Sequence, residues 1–205
     1  MEKQKYISDL EDIRNIMDRS SRFISLSGLS GVIAGILALI GAALAYYTVF
    51  VDHNYYSYRI AILDLNTTIT LISIASAVLI LSISFGIYLS WRKAKKNNQG
   101  IWDNQSKRLI INLMIPLATG GLLCLILISK GFIGLVAPLT LVFYGLALIN
   151  ASKYTLTEVR SLGIVEVTLG LMACQWEGFG LIFWCIGFGA LHIIYGIIMH
   201  VKYDT

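Results

Sequence analysis

The strongest constraint on this chain is a series of long apolar runs separated by short polar stretches. Six can be traced, at 23–51, 69–90, 109–129, 132–150, 159–176 and 179–201. Each exceeds or approaches the ~18 residues that carry an α-helix across a bilayer core. Backbone N–H and C=O groups find no water in hydrocarbon, so such segments must satisfy them internally, as helices do. The runs are too long and too uniform for transmembrane β-strands, which alternate apolar and polar residues. The fifth run is the shortest, and Glu166 lies inside it.

Composition matters here for what it leaves over. Of 205 residues, 57% are hydrophobic and only 14% charged. That hydrophobic share, about 117 residues, is close to the roughly 120 that six spans of ~20 would use. No stretch between the runs exceeds the 22 residues of the leader, too short for a soluble catalytic or nucleotide-binding domain. The chain carries no G-x-x-x-x-G-K-[ST] loop and no G-x-G-x-x-G following a strand, which excludes ATP-driven transport by this chain alone. It has no regular arginine ladder of the voltage-sensor kind and no T-V-G-Y-G filter. Cys124, Cys174 and Cys185 all lie within runs, where they read as small apolar residues. No metal site and no cofactor is expected.

Basic residues set the topology. Six spans put both termini on one side, together with the segment between the second and third runs. That side holds 14 of the 16 Lys and Arg residues, and only Arg59 and Lys130 face the other. The split is a positive-inside signal with both termini cytoplasmic. The net charge of +4 therefore reports orientation, and nucleic acid is not an expected partner. The leader, 1–22, has Ile7, Leu10, Ile13 and Met17 at helical spacing, with Ser8 and Glu11 as a capping box. Its five basic and five acidic residues cancel, which suits a helix packed under the bundle or against a partner better than one drawn to anionic lipid. The expected fold is an all-α membrane protein: an amphipathic N-terminal helix over 1–22, then a transmembrane domain over 23–205 of six helices arranged as three antiparallel hairpins.

Within the runs, small residues stand out. Ser27, Gly31 and Gly35 recur every fourth residue, and small-xxx-small faces let helices in lipid approach closely. The stripe is a packing face, either within the bundle or at a seam between copies. The even-numbered runs each carry an aromatic–glycine pair, Phe85-Gly86, Tyr144-Gly145 and Tyr195-Gly196, and the odd ones are entered from Arg22, Arg108 and Arg160. This hints at three related hairpins. Asn112 and Pro116 in the third run, with Pro138 in the fourth, mark candidate kinks.

The stretch Arg19-Ser20-Ser21-Arg22-Phe23-Ile24-Ser25-Leu26-Ser27-Gly28, running on to Gly35, and the ending His192-Ile193-Ile194-Tyr195-Gly196 to Tyr203 resemble a group of uncharacterised bacterial six-helix integral membrane proteins. The group has no assigned activity, so the resemblance implies a bacterial inner (plasma) membrane setting and carries over no functional residue.

One polar constellation breaks the apolar pattern. Glu166 is the only acidic residue well inside a run, and His192 the only such histidine. Intramembrane ionisable groups are expensive, by ~2.5–3.5 kcal/mol on insertion scales, and are usually paired or functional. The last turn centres on Phe179; Glu166 lies 13 residues before it and His192 13 after. At 1.5 Å per residue both fall about 20 Å from the turn, at one depth. Gly163, Glu166 and Gly170 follow i, i+3, i+7, and Gly189, His192 and Gly196 repeat that spacing. The expectation is a Glu166–His192 hydrogen bond or ion pair, with glycines letting the fifth and sixth helices close up. Such a pair either fixes helix register or responds to protons.

The chain contains no Ser/His/Asp set, no H-E-x-x-H and no paired intramembrane aspartates. The expected function is therefore a non-enzymatic structural or regulatory membrane module, with the lipid bilayer and a second copy or another membrane protein as partners. The alternative is a small proton-linked transporter or channel-like protein that uses Glu166 and His192.

Overall fold

The computed structural model describes residues 27–50, 64–96, 102, 104–176 and 178–203. The leader helix expected over 1–22 and the start of the first run lie outside the described residues. The described chain is helical with no strand among the described residues. Six helices follow in order: α1, Gly28–Phe50; α2, Leu65–Lys96; α3, Asn104–Ser129; α4, Val136–Ala151; α5, Thr157–Gln175; and α6, Gly180–Tyr203. Five are long and apolar enough to cross a membrane, α4 being counted with the short 3-10 turns at its two ends. The exception is α5, which is 19 residues long and carries Glu158, Arg160 and Glu166.

Helix ends follow local chemistry more than the edges of the apolar runs. α2 is 32 residues long and overshoots the run 69–90 at both ends. Its start is set by Asp64, whose Oδ2 accepts the amides of Asn66 at 3.1 Å and Thr67 at 3.3 Å, satisfying donors that the first turn leaves open. The Thr67 hydroxyl and amide donating to Asp64 hold its carboxyl below the usual range. At the other end Lys93, Lys95 and Lys96 continue the helix, where cations meet the negative end of the helix dipole. α3 closes at Gly131 (φ +81°), with Phe132 N donating to Leu127 O at 2.9 Å and Gly131 N to Ile128 O at 3.0 Å. Those two bonds form a Schellman turn, which needs a left-handed residue at this position.

The two prolines behave differently from a matched pair of kinks. Pro138 falls in the first turn of α4, where no amide bond is lost. Pro116 sits inside α3 and removes the amide that would bond to Asn112 O, four residues back. Asn150 of α4 fills the gap, its Nδ2 donating to Asn112 O at 2.9 Å.

The helices form an open row. α1 lies between α2 and α6, and α4 lies between α3 and α5. α5 and α6 are joined by a short turn at Gly178 (φ +90°), yet α5 packs chiefly on α4 and α6 chiefly on α1. The glycines explain this. A Cβ on Gly31 would lie 3.2 Å from Gly196 Cα, and one on Gly35 would lie 2.7 Å from Gly189 O. A Cβ on Gly196 would in turn lie 2.8 Å from Gly28 O. The Ser27–Gly31–Gly35 stripe is thus spent inside the chain, with Ser27 buried at its head. On the other side, a Cβ on Gly163 would lie 2.7 Å from Gly145 O, and one on Gly170 would lie 2.8 Å from Pro138 O.

This corrects the expectation that Gly163, Gly170, Gly189 and Gly196 bring α5 and α6 together. At 100° per residue, Gly163 and Gly170 fall about 40–60° to one side of Glu166, and Gly196 falls about 40° to one side of His192; Gly189 lies in a π-helical turn and also packs on α1, against Leu39. They form a separate stripe, so Glu166 and His192 face each other while their glycines face α4 and α1.

The buried apolar core joins Leu148, Leu156, Val159, Leu162 and Met199, with Tyr144 and Tyr195 packed against it. Most other large apolar side chains point outward. In α2, Leu79, Ile80 and Ile87 are 59%, 62% and 64% exposed, a pattern suited to hydrocarbon surroundings and not to water.

Candidate functional site

The core ends at a polar cluster where α4, α5 and α6 meet. α5 contributes Glu166, which is fully buried, and α6 contributes His192, 7% exposed. The structure brings the two together, with His192 Nδ1 3.5 Å from Glu166 Oε1. The closer partner of that nitrogen is Gly187 O, at 3.0 Å. A carbonyl can only accept, so Nδ1 carries the proton in this bond. On the opposite side of the ring, Nε2 lies 2.8 Å from the Tyr144 hydroxyl. With the proton on Nδ1 in a neutral imidazole, Nε2 accepts and Tyr144 donates. Neither oxygen of Glu166 accepts a hydrogen bond from the described residues.

An irregular stretch of α6 makes this geometry. Residues Cys185–Leu191 form a π-helical segment between the α-helical pieces Gly180–Trp184 and His192–Tyr203. π-turns are rare, mostly single, and concentrated at functional sites. Here the segment presents the Gly187 carbonyl to the His192 ring. Gly187 must also lack a side chain: a Cβ there would collide with the Glu166 carboxyl group and come within 2.5 Å of Leu141 Cδ2. Aromatic rings close the rest. Phe188 lies 4.9 Å from the Tyr144 ring and 5.8 Å from the His192 ring, and Trp184 lies 4.9 Å from Phe188.

A second polar contact joins the far ends of the same two helices. Glu158 Oε1 accepts from Lys202 Nζ at 2.5 Å and from the Tyr203 hydroxyl at 2.8 Å. It ties the start of α5 to the end of α6. Lys202 is 58% exposed, so this is a surface ion pair that solvent and salt screen.

Sequence reasoning missed Tyr144, Gly187 and Asn150 as participants. Tyr144 and Asn150 had a readable signal, a polar group inside an apolar run. The π-segment had none beyond a local excess of glycine. Among the described residues no three His, Cys, Asp or Glu side chains converge, and Glu166 with His192 supplies two of the three or four ligands a zinc ion takes. His192 is oriented by a carbonyl and a hydroxyl, and among the described residues no serine or cysteine is bonded to it, so the described cluster has proton-holding groups and no nucleophile–base pair. Comparison of the chain with protein-family models, with curated proteins and with solved structures finds no match in any of the three.

Proposed function

We propose that the chain is a non-enzymatic, multi-pass protein of the bacterial inner membrane that serves a structural or regulatory role. In this reading it spans the bilayer six times, with both termini cytoplasmic, and α5 is carried across by its neighbours despite its charges. The observation that supports the reading is the contrast between the outside and the inside of the helix row. α2 and α3 present long apolar faces to their surroundings, whereas Glu166, His192 and Tyr144 are gathered into one closed cluster. Buried polar contacts of this kind fix which helices meet and in what register. The partners are lipid and either a second copy or another membrane protein, met by the α2 and α3 faces. The test is topology. Single cysteines at positions 96 and 130, in a chain lacking its own three, are labelled from each side of sealed vesicles. The reading expects opposite sidedness for the two positions, and labelling from the same side refutes it.

The second reading, a small proton-linked transporter, is favoured by Glu166 oxygens that accept no hydrogen bond from the described residues and lie beside a histidine. Proton flux in vesicles that disappears with Glu166→Gln would establish it in place of the first.

A further inference from the structure

The cluster holds one proton where two acceptors compete for it. His192 Nδ1–H lies within reach of Gly187 O at 3.0 Å and Glu166 Oε1 at 3.5 Å, and it can serve only one of them well. Which one wins depends on the charge of Glu166. A hydrogen bond to an ionised carboxylate is roughly twice as strong as one to a neutral acceptor. A carboxylate at Glu166 therefore draws the imidazole N–H away from Gly187. A protonated Glu166 leaves it where the structure has it. The geometry points to Glu166 as a reversible proton-binding site whose state is read out, through His192, by the π-helical segment Cys185–Leu191.

The coupling runs through named contacts. The Gly187 carbonyl belongs to the π-segment and is tied to the His192 ring. Its Cα rests against the Glu166 carboxyl group, and two residues on, Gly189 O meets Gly35 of α1. Releasing the Gly187 carbonyl removes a side-chain support from a helical form that is seldom stable by itself. Relaxation of the turn would then move the surface on which α1 packs. Among the described residues, the titratable groups that act on Glu166 are His192 from α6 and Tyr144 from α4, and Gly187, which also lies against its carboxyl group, carries no charge. On α5 itself the nearest charged residues are Arg160 and Glu158, six and eight positions away along the helix. The proton balance is simple: Glu166 releases H⁺ to water and becomes a carboxylate, while His192 and Tyr144 keep their protons and exchange only hydrogen-bond partners.

The inference rests on the membrane reading above and is tested separately from it. The full chain in lipid nanodiscs is titrated from acid to alkaline pH. Two signals are followed in a chain whose other four glutamates, Glu2, Glu11, Glu158 and Glu177, are replaced by glutamine: the infrared carbonyl band of the protonated, isotope-labelled Glu166 side chain, and amide hydrogen exchange, corrected for its intrinsic pH dependence, in peptides covering the π-segment. The expected result is loss of the band with one midpoint, together with a change of about tenfold in exchange at that same midpoint, the equivalent of one hydrogen bond of ~1.4 kcal/mol. Glu166→Gln should abolish the band and hold exchange at its acid-side value. His192→Phe should keep the band and lose the exchange response. If Glu166→Gln does not fold, the chain that keeps Glu166 as its one labelled glutamate decides, because a band that does not titrate, or exchange that ignores it, overturns the proposal. A chain that is washed from vesicles by alkaline carbonate would refute the membrane reading. Proton flux through Glu166 would refute only the non-transport role and leave the switch standing.

Discussion

Replacing Gly145 by alanine tests the close crossing of α4 and α5. The added Cβ would lie 2.5 Å from Gly163 O and 2.8 Å from Val167 N and Cγ2. Carbon–carbon contacts settle near 3.5–4.0 Å, and carbon–oxygen contacts are only slightly shorter, so α4 and α5 must part by about 0.5–1 Å. None of the nearest obstacles at 145 is the end of a long flexible side chain, so the strain cannot be relieved by a rotamer change. The expected cost is ~1–3 kcal/mol, the range for overpacking a tight contact. Gly163→Ala meets the same crossing from the other side, with its Cβ 2.7 Å from Gly145 O. Once one substitution has opened the crossing, the second costs less, so the double variant should be clearly less destabilised than the sum. Gly86 and Gly121 provide the control, since a Cβ at either meets nothing within 4 Å. There alanine should be neutral, or stabilising by up to ~1 kcal/mol through helix propensity. The assay is reversible unfolding in mixed micelles, followed by far-ultraviolet circular dichroism for all five variants. Wild-type stability for Gly145→Ala, or equal losses at 86 and 145, would refute the packing argument.

Other outcomes follow from the same contacts. Asn150→Leu strips the donor from Asn112 O opposite Pro116 and should cost ~1–3 kcal/mol; Pro116→Ala, which restores a backbone amide to that carbonyl, should recover part of the loss in the same unfolding assay. Gly187→Ala drives a methyl group into the Glu166 carboxyl group and Leu141, and should shift the histidine ring resonances of His192 while destabilising the fold. Tyr144→Phe removes the bond to His192 Nε2 and should cost ~0.6 kcal/mol, with an upper bound near 1.7. Glu158→Gln weakens the contact with Lys202 and Tyr203, and because Lys202 is largely exposed the expected loss in the same unfolding assay is small and shrinks further with added salt.

Much of the helical layout was legible because bilayer thickness and backbone hydrogen bonding leave few options for an apolar run of ~20 residues. The meeting of Glu166 and His192 was legible for a related reason: a short turn and equal distances from it put the two at one level. What the sequence hid was direction around the helix axis. The glycines at 163, 170, 189 and 196 were readable as close-packing residues, but the partners of 163, 170 and 196 are fixed by an offset of about 40–60° that is small on paper and decisive in space, and Gly189 lies in the π-turn. The π-segment was hidden more deeply, because inserting one residue into a helical turn leaves no periodic mark. The same holds for the pairing of Asn150 with Asn112. Each residue was visible as polar within a run, and Pro116 predicts an orphaned carbonyl at 112, yet only the packing of α3 on α4 says which donor reaches it.

The central claim is that Glu166 and His192 face each other in a helix bundle that lives in lipid. Solid-state magnetic resonance of the chain in bilayers, with nitrogen-labelled histidine and glutamate labelled at its side-chain carboxyl carbon, measures this directly. The expected spectrum contains a short-range dipolar contact between His192 Nδ1 and a glutamate carboxyl carbon, and that contact disappears in Glu166→Gln. A His192 ring with no glutamate carbon nearby, or a contact that survives the substitution, would contradict the account.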